Sequence, residues 1–419
     1  MQIGSNLQLF HPLLALAIII GISSLLGQLV KKFGQPSVIG EIVGGIILGP
    51  SIFGRISGDL FHLIFAPPII SSLQIISQLG IIFYMFQIGL EFDIKHLRAY
   101  GKSTLLISYS SIILPFLFGL GLAFYTYPTL AQDNVDFLPF ALFFGVSMSI
   151  TALPVLTRIL TDKRVQSTPL GTLCIACAAI NDVTAWCLLA LTIGCAKSQL
   201  LAAFITIALA TTYVGVMLTL VKSFVARWLS TRPHFSYEQL SLLLVAVLIS
   251  SCITEFIGIH AVFGAFIIGI IIPKESHLPH ELKHRIQDFV SFFLMPPFFA
   301  LTGLRTEINL INGLQGWLLC GAIIVLASIG KFGGTFIVAR LTGHTWHNAA
   351  ALGILMNTRG LVELIVLNIG LDLHIISPSL FTMLVIMALF TTFIAPPIFK
   401  MVTRKHPWVV HGGLQNKSA

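Results

Sequence analysis

The chain is a succession of apolar runs of roughly twenty residues parted by short polar stretches, and such runs cross a bilayer only as helices. Leu7 to Val30 contains no charged residue, and between Pro169 and Ala196 the single charge is Asp182. Neither run alternates apolar with polar residues, so barrel strands do not fit. Charged residues are 10% of the 419 and hydrophobic ones 56%, which excludes a soluble domain of this length. The expected class is an all-α polytopic membrane protein. The first run is too long for a signal segment and lacks a basic leader, so it reads as a retained helix.

Thirteen spans can be placed, at 7–31, 36–54, 68–90, 103–126, 138–160, 168–196, 199–223, 237–256, 258–273, 286–304, 315–340, 347–370 and 378–400. The net charge of +8 invites a nucleic-acid reading until its distribution is examined. With the N-terminus outside, only Arg55, Lys197 and Arg305 of the 24 Lys and Arg residues lie on the outer side, and Lys331 and Arg359 lie within the membrane. The other basic residues, among them Lys95, Arg98, Arg232, Lys405 and Lys417, fall inside, whereas the outer loop 127–137 is acidic through Asp133 and Asp136. Positive charge on the inner side orients the chain, and an odd span count then puts the C-terminus in the cytoplasm. The charge is topology, not a nucleic-acid footprint. The expected location is a bacterial plasma membrane. No soluble domain is legible: one transmembrane domain covers 1–405 and a short cytoplasmic tail covers 406–419.

Asp182 lies at the centre of its run. A charge there costs at least about 2.5–3.5 kcal/mol, so it persists where it faces a cavity and binds something. The bland alternative is a protonated carboxylate gluing helices together. Two spans are interrupted at similar depth. In the fifth, Ser147-Met-Ser149-Ile-Thr151-Ala-Leu-Pro154 brings hydroxyls and a proline that removes one backbone donor. In the twelfth, Met356-Asn357-Thr358-Arg359-Gly360 is a polar, glycine-containing patch. One patch would pass as an ordinary kink. Two patches seven spans apart cross in opposite directions, as an inverted-topology repeat with two discontinuous, crossing helices requires. The sixth span carries Asn181-Asp182; its counterpart, the thirteenth, offers only Thr391, Thr392 and Pro396-Pro397.

The other deep ionisable groups are Lys331, Arg359 and Glu363. Lys331 sits in Gly330-Lys-Phe-Gly-Gly-Thr335, which lacks the strand context of a phosphate loop and reads as close helix packing. Arg359 and Glu363, four apart, can pair with each other. Crossing half-helices present charged ends at the midplane. Asp182 would face a positive end and a cation, Lys331 a negative end, and Thr151 and Asn357 would add neutral oxygens. One carboxylate holds a proton or a cation, not both, and that competition is the basis of obligatory exchange. Glu41 and Glu255, near opposite ends of their spans, could line entry funnels; an interfacial acid paired with Lys31 or Lys32 explains Glu41 as well. Glu91 and Asp93 close the third span. His277, His280 and His284 read as solvated loop histidines, and the six cysteines, Cys174-x-x-Cys177 included, as small buried hydrophobes. No cofactor and no resident metal site is indicated.

Several strings resemble the monovalent cation:proton antiporter-2 family: Gln35-Pro-Ser-Val-Ile-Gly-Glu41-Ile-Val-Gly-Gly-Ile-Ile-Leu-Gly-Pro-Ser51, Gly89-Leu-Glu-Phe-Asp93, Ser149-Ile-Thr-Ala-Leu-Pro154, Phe298-Phe-Ala-Leu-Thr-Gly-Leu304 and the stretch Asn357 to Gly370. That last stretch and Asn181-Asp182-Val-Thr-Ala-Trp186 are most similar to the plant-type cation/H+ exchanger branch. The resemblance implies a sodium/proton antiporter-like fold and a homodimer. It also implies a moving core of about 103–196 and 315–400, a dimerisation scaffold of about 7–90 and 237–304, and a linker helix at 199–223. By it, Asp182 matches the ion-binding aspartate, Lys331 the core lysine, and Thr151 and Asn357 the crossing. Electrogenic sodium/proton members carry two adjacent aspartates. Here the first is Asn181, which implies one Na+ or K+ per proton and no net charge moved, unless Lys331 supplies a second proton. An uncoupled cation uniporter and an organic-anion symporter on a related fold are the competing readings. An intramembrane aspartyl protease would need a second deep aspartate.

Overall fold

The computed structural model describes residues 9–91, 101–132, 135–166, 168–196, 200–230, 237–274 and 278–404. Asp93, Lys95, Arg98, Asp133, Lys197, Arg232, His277, Lys405, Lys417 and the tail 406–419 lie outside them. The architecture is all-helical: α1 (Phe10–Lys32), α2 (Ser37–Leu48), α3 (Pro67–Glu91), α4 (Gly101–Leu130), α5 (Phe137–Ser149), α6 (Leu153–Asp162), α7 (Pro169–Ala196), α8 (Leu200–Val216), α9 (Tyr237–Ile257), α10 (Ala261–Ile271), α11 (Leu278–Phe289), α12 (Met295–Leu304), α13 (Gly313–Leu341), α14 (Trp346–Met356), α15 (Leu361–Asp372) and α16 (Pro378–Arg404). Among the described residues, eleven helical stretches are long and apolar enough to cross a membrane. The shorter α5 and α10 fall at the fifth and ninth expected spans.

The helices gather into two compact units. The first takes the described residues within 1–28, 40–95 and 199–305. Its core joins Ala15, Leu16 and Ile19 to Leu48, Ile69 and Leu73 and to Ala300, Leu301 and Leu304. Gly45 and Gly303 let α2 and α12 meet backbone to backbone, since a Cβ at either would collide with the main chain of the other helix. Pro296 and Pro297 at the start of α12 bring no N–H, and the preceding turn, Val290–Leu294, widens into a π-helix.

The second unit takes the described residues within 29–39, 96–198 and 306–404. One packing pattern occurs in it twice. α5 and α7 pack on α4 and on each other, and α14 and α16 pack in the same way on α13 and on each other. The two triplets meet along α4 and α13. Gly330 and Gly334 make that approach possible, for a Cβ there would strike the backbone of Pro115 and Ser110. The Ser110 hydroxyl donates to the Gly334 carbonyl at 3.0 Å and fixes the contact.

Each triplet contains one broken span. α5 ends at Ser149, the backbone runs extended through Ile150 (φ −69°, ψ 140°) and Ala152 (φ −90°, ψ 96°), and α6 starts at Leu153. Pro154 therefore lies in the first turn of α6, where its missing N–H costs no helical hydrogen bond. The twelfth span breaks likewise after Met356, and α15 begins at Leu361.

Candidate functional site

The two breaks cross each other. Ala152 N–H donates to Thr358 O at 3.0 Å, and the Thr151 hydroxyl donates to Met356 O at 3.1 Å. Gly360 faces the side chains of Val155 and Ala152 so closely that a Cβ would strike Val155. Two half-helix C-termini, those of α5 and α14, and two N-termini, those of α6 and α15, thus converge in a buried zone. Every terminal carbonyl there needs a partner or a ligand.

Two cations serve the α5 end. Arg359 donates through Nη1 to Ser147 O at 2.9 Å and through Nη2 to Met148 O at 2.6 Å. Lys331 Nζ donates to Ser149 O. Positive charge at the negative end of a helix dipole is favourable, and burial strengthens it. The hydroxyls of Ser147 and Ser149 turn back to Phe143 O and Val146 O of their own helix, so the carbonyl of Ser149, not its side chain, faces the crossing.

Arg359 also pairs with Glu363 at 3.2 Å, with both side chains fully buried. One guanidinium therefore joins a carboxylate four residues on to the end of a helix in the other triplet. Among the described residues, Glu363 Oε2, Arg359 Nε and Asn357 Oδ1 have no hydrogen-bond partner.

Asn181 and Asp182 lie midway along α7, at 1% and 4% exposure, and they behave differently. The Asn181 amide is enclosed, 2.6 Å from Ser108 Oγ, 2.8 Å from Ser111 Oγ and 3.1 Å from Thr151 Oγ1. Turned to suit Ser108 and Ser111, its nitrogen donates to Ser108 Oγ and to the carbonyls of Ser108 and Cys177, and its oxygen accepts from the Ser111 hydroxyl; the single Thr151 proton goes to this oxygen or to Met356 O, not to both. Asp182 Oδ1, by contrast, has no partner among the described residues, and Lys331 lies within electrostatic range of it. A buried carboxylate oxygen left unpaired is costly unless a proton or cation occupies it.

The second unit thus brings together Ser149, Thr151, Asn181, Asp182, Lys331, Asn357, Thr358, Arg359, Gly360 and Glu363. Pro154 contributes through its backbone position. Glu41 and Glu255 belong to the first unit. Glu255 accepts from Ala261 N–H at 2.8 Å and caps the start of α10. Glu91 there pairs with Lys283, and Lys274 donates to Gly89 O and Leu90 O at the end of α3. His284 is exposed. Cys174 and Cys177 are buried free thiols.

Sequence reasoning missed Ser108 and Ser111 and undervalued Thr392. The 4-then-3 spacing of Thr104, Ser108 and Ser111, all buried on α4, was the available signal, since it puts three hydroxyls on one face of an apolar helix.

The transmembrane sodium/hydrogen exchanger family matches residues 15–405. The chain belongs to that family. It is 43% identical over 399 residues to the Na(+)/H(+) antiporter NhaS4 of Synechocystis sp., covering 94% of this chain and 97% of that protein. It is 41% identical to Cation/H(+) antiporter 20 of Arabidopsis thaliana, covering 94% of this chain and 49% of that one, and 36% identical to K(+)/H(+) antiporter 1 of Saccharomyces cerevisiae, with 88% and 43% covered. The chain therefore spans about half the length of its plant and yeast relatives. The sodium proton antiporter MjNhaP1 of Methanocaldococcus jannaschii has the same fold, with a TM-score of 0.68, 16% identity, and 98% of this chain and all of that one covered. As a member of this family the protein is an integral, multi-pass secondary transporter, not an enzyme.

Proposed function

We propose that this protein exchanges a monovalent cation, Na+ or K+, for H+, with both ions competing for Asp182. The observation that carries the reading is the buried, unpartnered Oδ1 of Asp182 beside two crossed helix breaks. An alkali cation wants several hard oxygens, and a carboxylate with main-chain oxygens freed by a break supplies them. The names of the relatives, which include Na(+)/H(+), K(+)/H(+) and the Na(+)/H(+)-K(+) antiporter GerN of Bacillus cereus, leave either cation open.

The division of charge supports an electroneutral cycle. Lys331 is engaged with Ser149 O and Arg359 with Glu363 and two carbonyls, so these cations balance helix ends and a second acid. Asn181 is neutral, and Asp182 is left to trade one proton for one cation. The core of about 103–196 and 315–400 then carries the loaded site between the two faces in an elevator-like step. The rest serves as scaffold in a homodimer, with the N-terminus outside and the C-terminus inside.

Proteoliposomes containing a pH-sensitive dye test this. Adding Na+ or K+ should dequench the dye, at a rate that an imposed membrane potential leaves unchanged, and Asp182→Asn should abolish the response. Cation current with no proton movement would point to a uniporter instead.

A further inference from the structure

α7 and α16 hold corresponding places in the two triplets, and each lends one polar side chain to the break beside it. On α7 it is Asn181, which reaches Thr151 in the first break at 3.1 Å. On α16 it is Thr392. Arg359 N–H donates to Thr392 Oγ1 at 2.9 Å, and the same hydroxyl donates to Arg359 O at 2.6 Å. One side-chain oxygen thus satisfies both main-chain groups of a residue that lies outside α14 and α15. Thr392 is 3% exposed, so water does not substitute for it. Its neighbour Thr391 is equally buried, but its hydroxyl donates to Met387 O and Ala388 O of its own helix. Adjacent threonines therefore differ in that only Thr392 leaves its helix.

The consequence passes through Arg359. Its side chain must leave the second break, cross to the end of α5 and meet Ser147 O, Met148 O and Glu363 together. That reach depends on where its Cα is held. We infer that Thr392 is a positioning residue for the exchange reaction, fixing the Arg359 main chain so that the guanidinium locks the two breaks in register. This rests on the antiport reading above. A proton on Asp182 needs one oxygen, whereas a cation needs several held at set distances. Loosening the crossing therefore penalises cation loading more than protonation. With the two ions in competition, a weaker cation must be met at higher pH, where fewer protons contend for the site.

The test uses the full chain in proteoliposomes, with wild type, Thr392→Val, Thr392→Ser and Thr391→Val assayed for Na+ and for K+. Thr392→Val should raise the apparent KM at least about fivefold and move the acid limb of the pH profile upward, while Thr392→Ser and Thr391→Val stay within about twofold of wild type. KM and the pH profile do not depend on how much protein folds, so a loss of folded protein alone leaves both in place. A Thr392→Val variant with lower maximal rate but unchanged KM and profile, or a Thr392→Ser variant as altered as Thr392→Val, overturns the inference. Wild-type protein that exchanges no cation for protons overturns the antiport reading instead, and the wild-type control shows that separately.

Discussion

Lys331 donates its hydrogen bond to the main-chain carbonyl of Ser149, the last residue of α5, while Asp182 Oδ1 keeps no partner among the described residues. A lysine tied to the carboxylate would have to be displaced by each arriving cation. A lysine tied to a helix end need not be displaced.

If that is its role, a permanent cation should replace it. Arginine keeps its proton in proteins, so Lys331→Arg should retain cation-driven proton flux, reduced by no more than about tenfold for the change of shape. Lys331→Gln should lose more, because the Ser149 carbonyl then faces a neutral partner. Dye-based flux at fixed cation concentration measures both. An inactive Arg variant beside an active Gln variant would show that the charge at this position is not what matters.

The Arg359–Glu363 pair predicts an asymmetry in stability. Removing Arg359 strands a buried carboxylate and two carbonyl acceptors, and breaking a buried pair in that way costs about 3–5 kcal/mol. Glu363→Gln keeps the shape and removes one charge, and Arg359 retains its two carbonyls. Thermal unfolding in detergent should place Arg359→Ala well below Glu363→Gln, with wild type highest. Equal losses would mean that the contacts with Ser147 and Met148 contribute little.

Asn181 predicts the charge moved per cycle. Its amide is occupied by Ser108, Ser111 and Thr151, so it acts on the geometry of the first break rather than as a free ligand. Asn181→Asp places a second carboxylate beside Asp182, and like charges that close do not both ionise freely. Surviving exchange should then respond to an imposed membrane potential, where wild type does not. A wild-type rate that itself follows the potential would refute the electroneutral cycle.

Ser108→Ala and Ser111→Ala free the Asn181 amide without touching Asp182. Each removes one hydrogen bond with the Asn181 amide, worth about 0.6 kcal/mol on average inside a membrane protein, so cation KM should rise by only about threefold for one variant. Both together should exceed either alone. The measurement is cation-dependent flux at constant pH, and an unchanged KM in the double variant would show that α4 has no part in the site.

Much of this site was legible in the sequence because an apolar run makes any departure conspicuous. Asp182, Lys331, Arg359 and Glu363 stand out by charge, and Pro154 and Gly360 by their effect on a helix. What the sequence could not supply was pairing. Lys331 is expected at the negative end of a half-helix, and it meets the Ser149 carbonyl at the end of α5, but no pattern says which carbonyl, since every residue carries one. Arg359 pairs with Glu363 as the spacing implied, but its contacts with Ser147 and Met148, more than 200 positions away, depend on how two breaks cross. Ser108 and Ser111 escape notice and Thr392 is undervalued because a hydroxyl in a membrane helix usually bonds back one turn, as Thr391 does, and only the fold separates the few that reach across.

The central claim is that one proton and one cation compete for Asp182. Adding Na+ or K+ to purified protein in weakly buffered detergent solution, near the pH of half-maximal transport, should release protons as the cation binds. The apparent cation affinity should weaken by up to about tenfold for each unit of falling pH, and the release should vanish in Asp182→Asn. Cation binding without proton release, or release that persists in Asp182→Asn, would contradict the account.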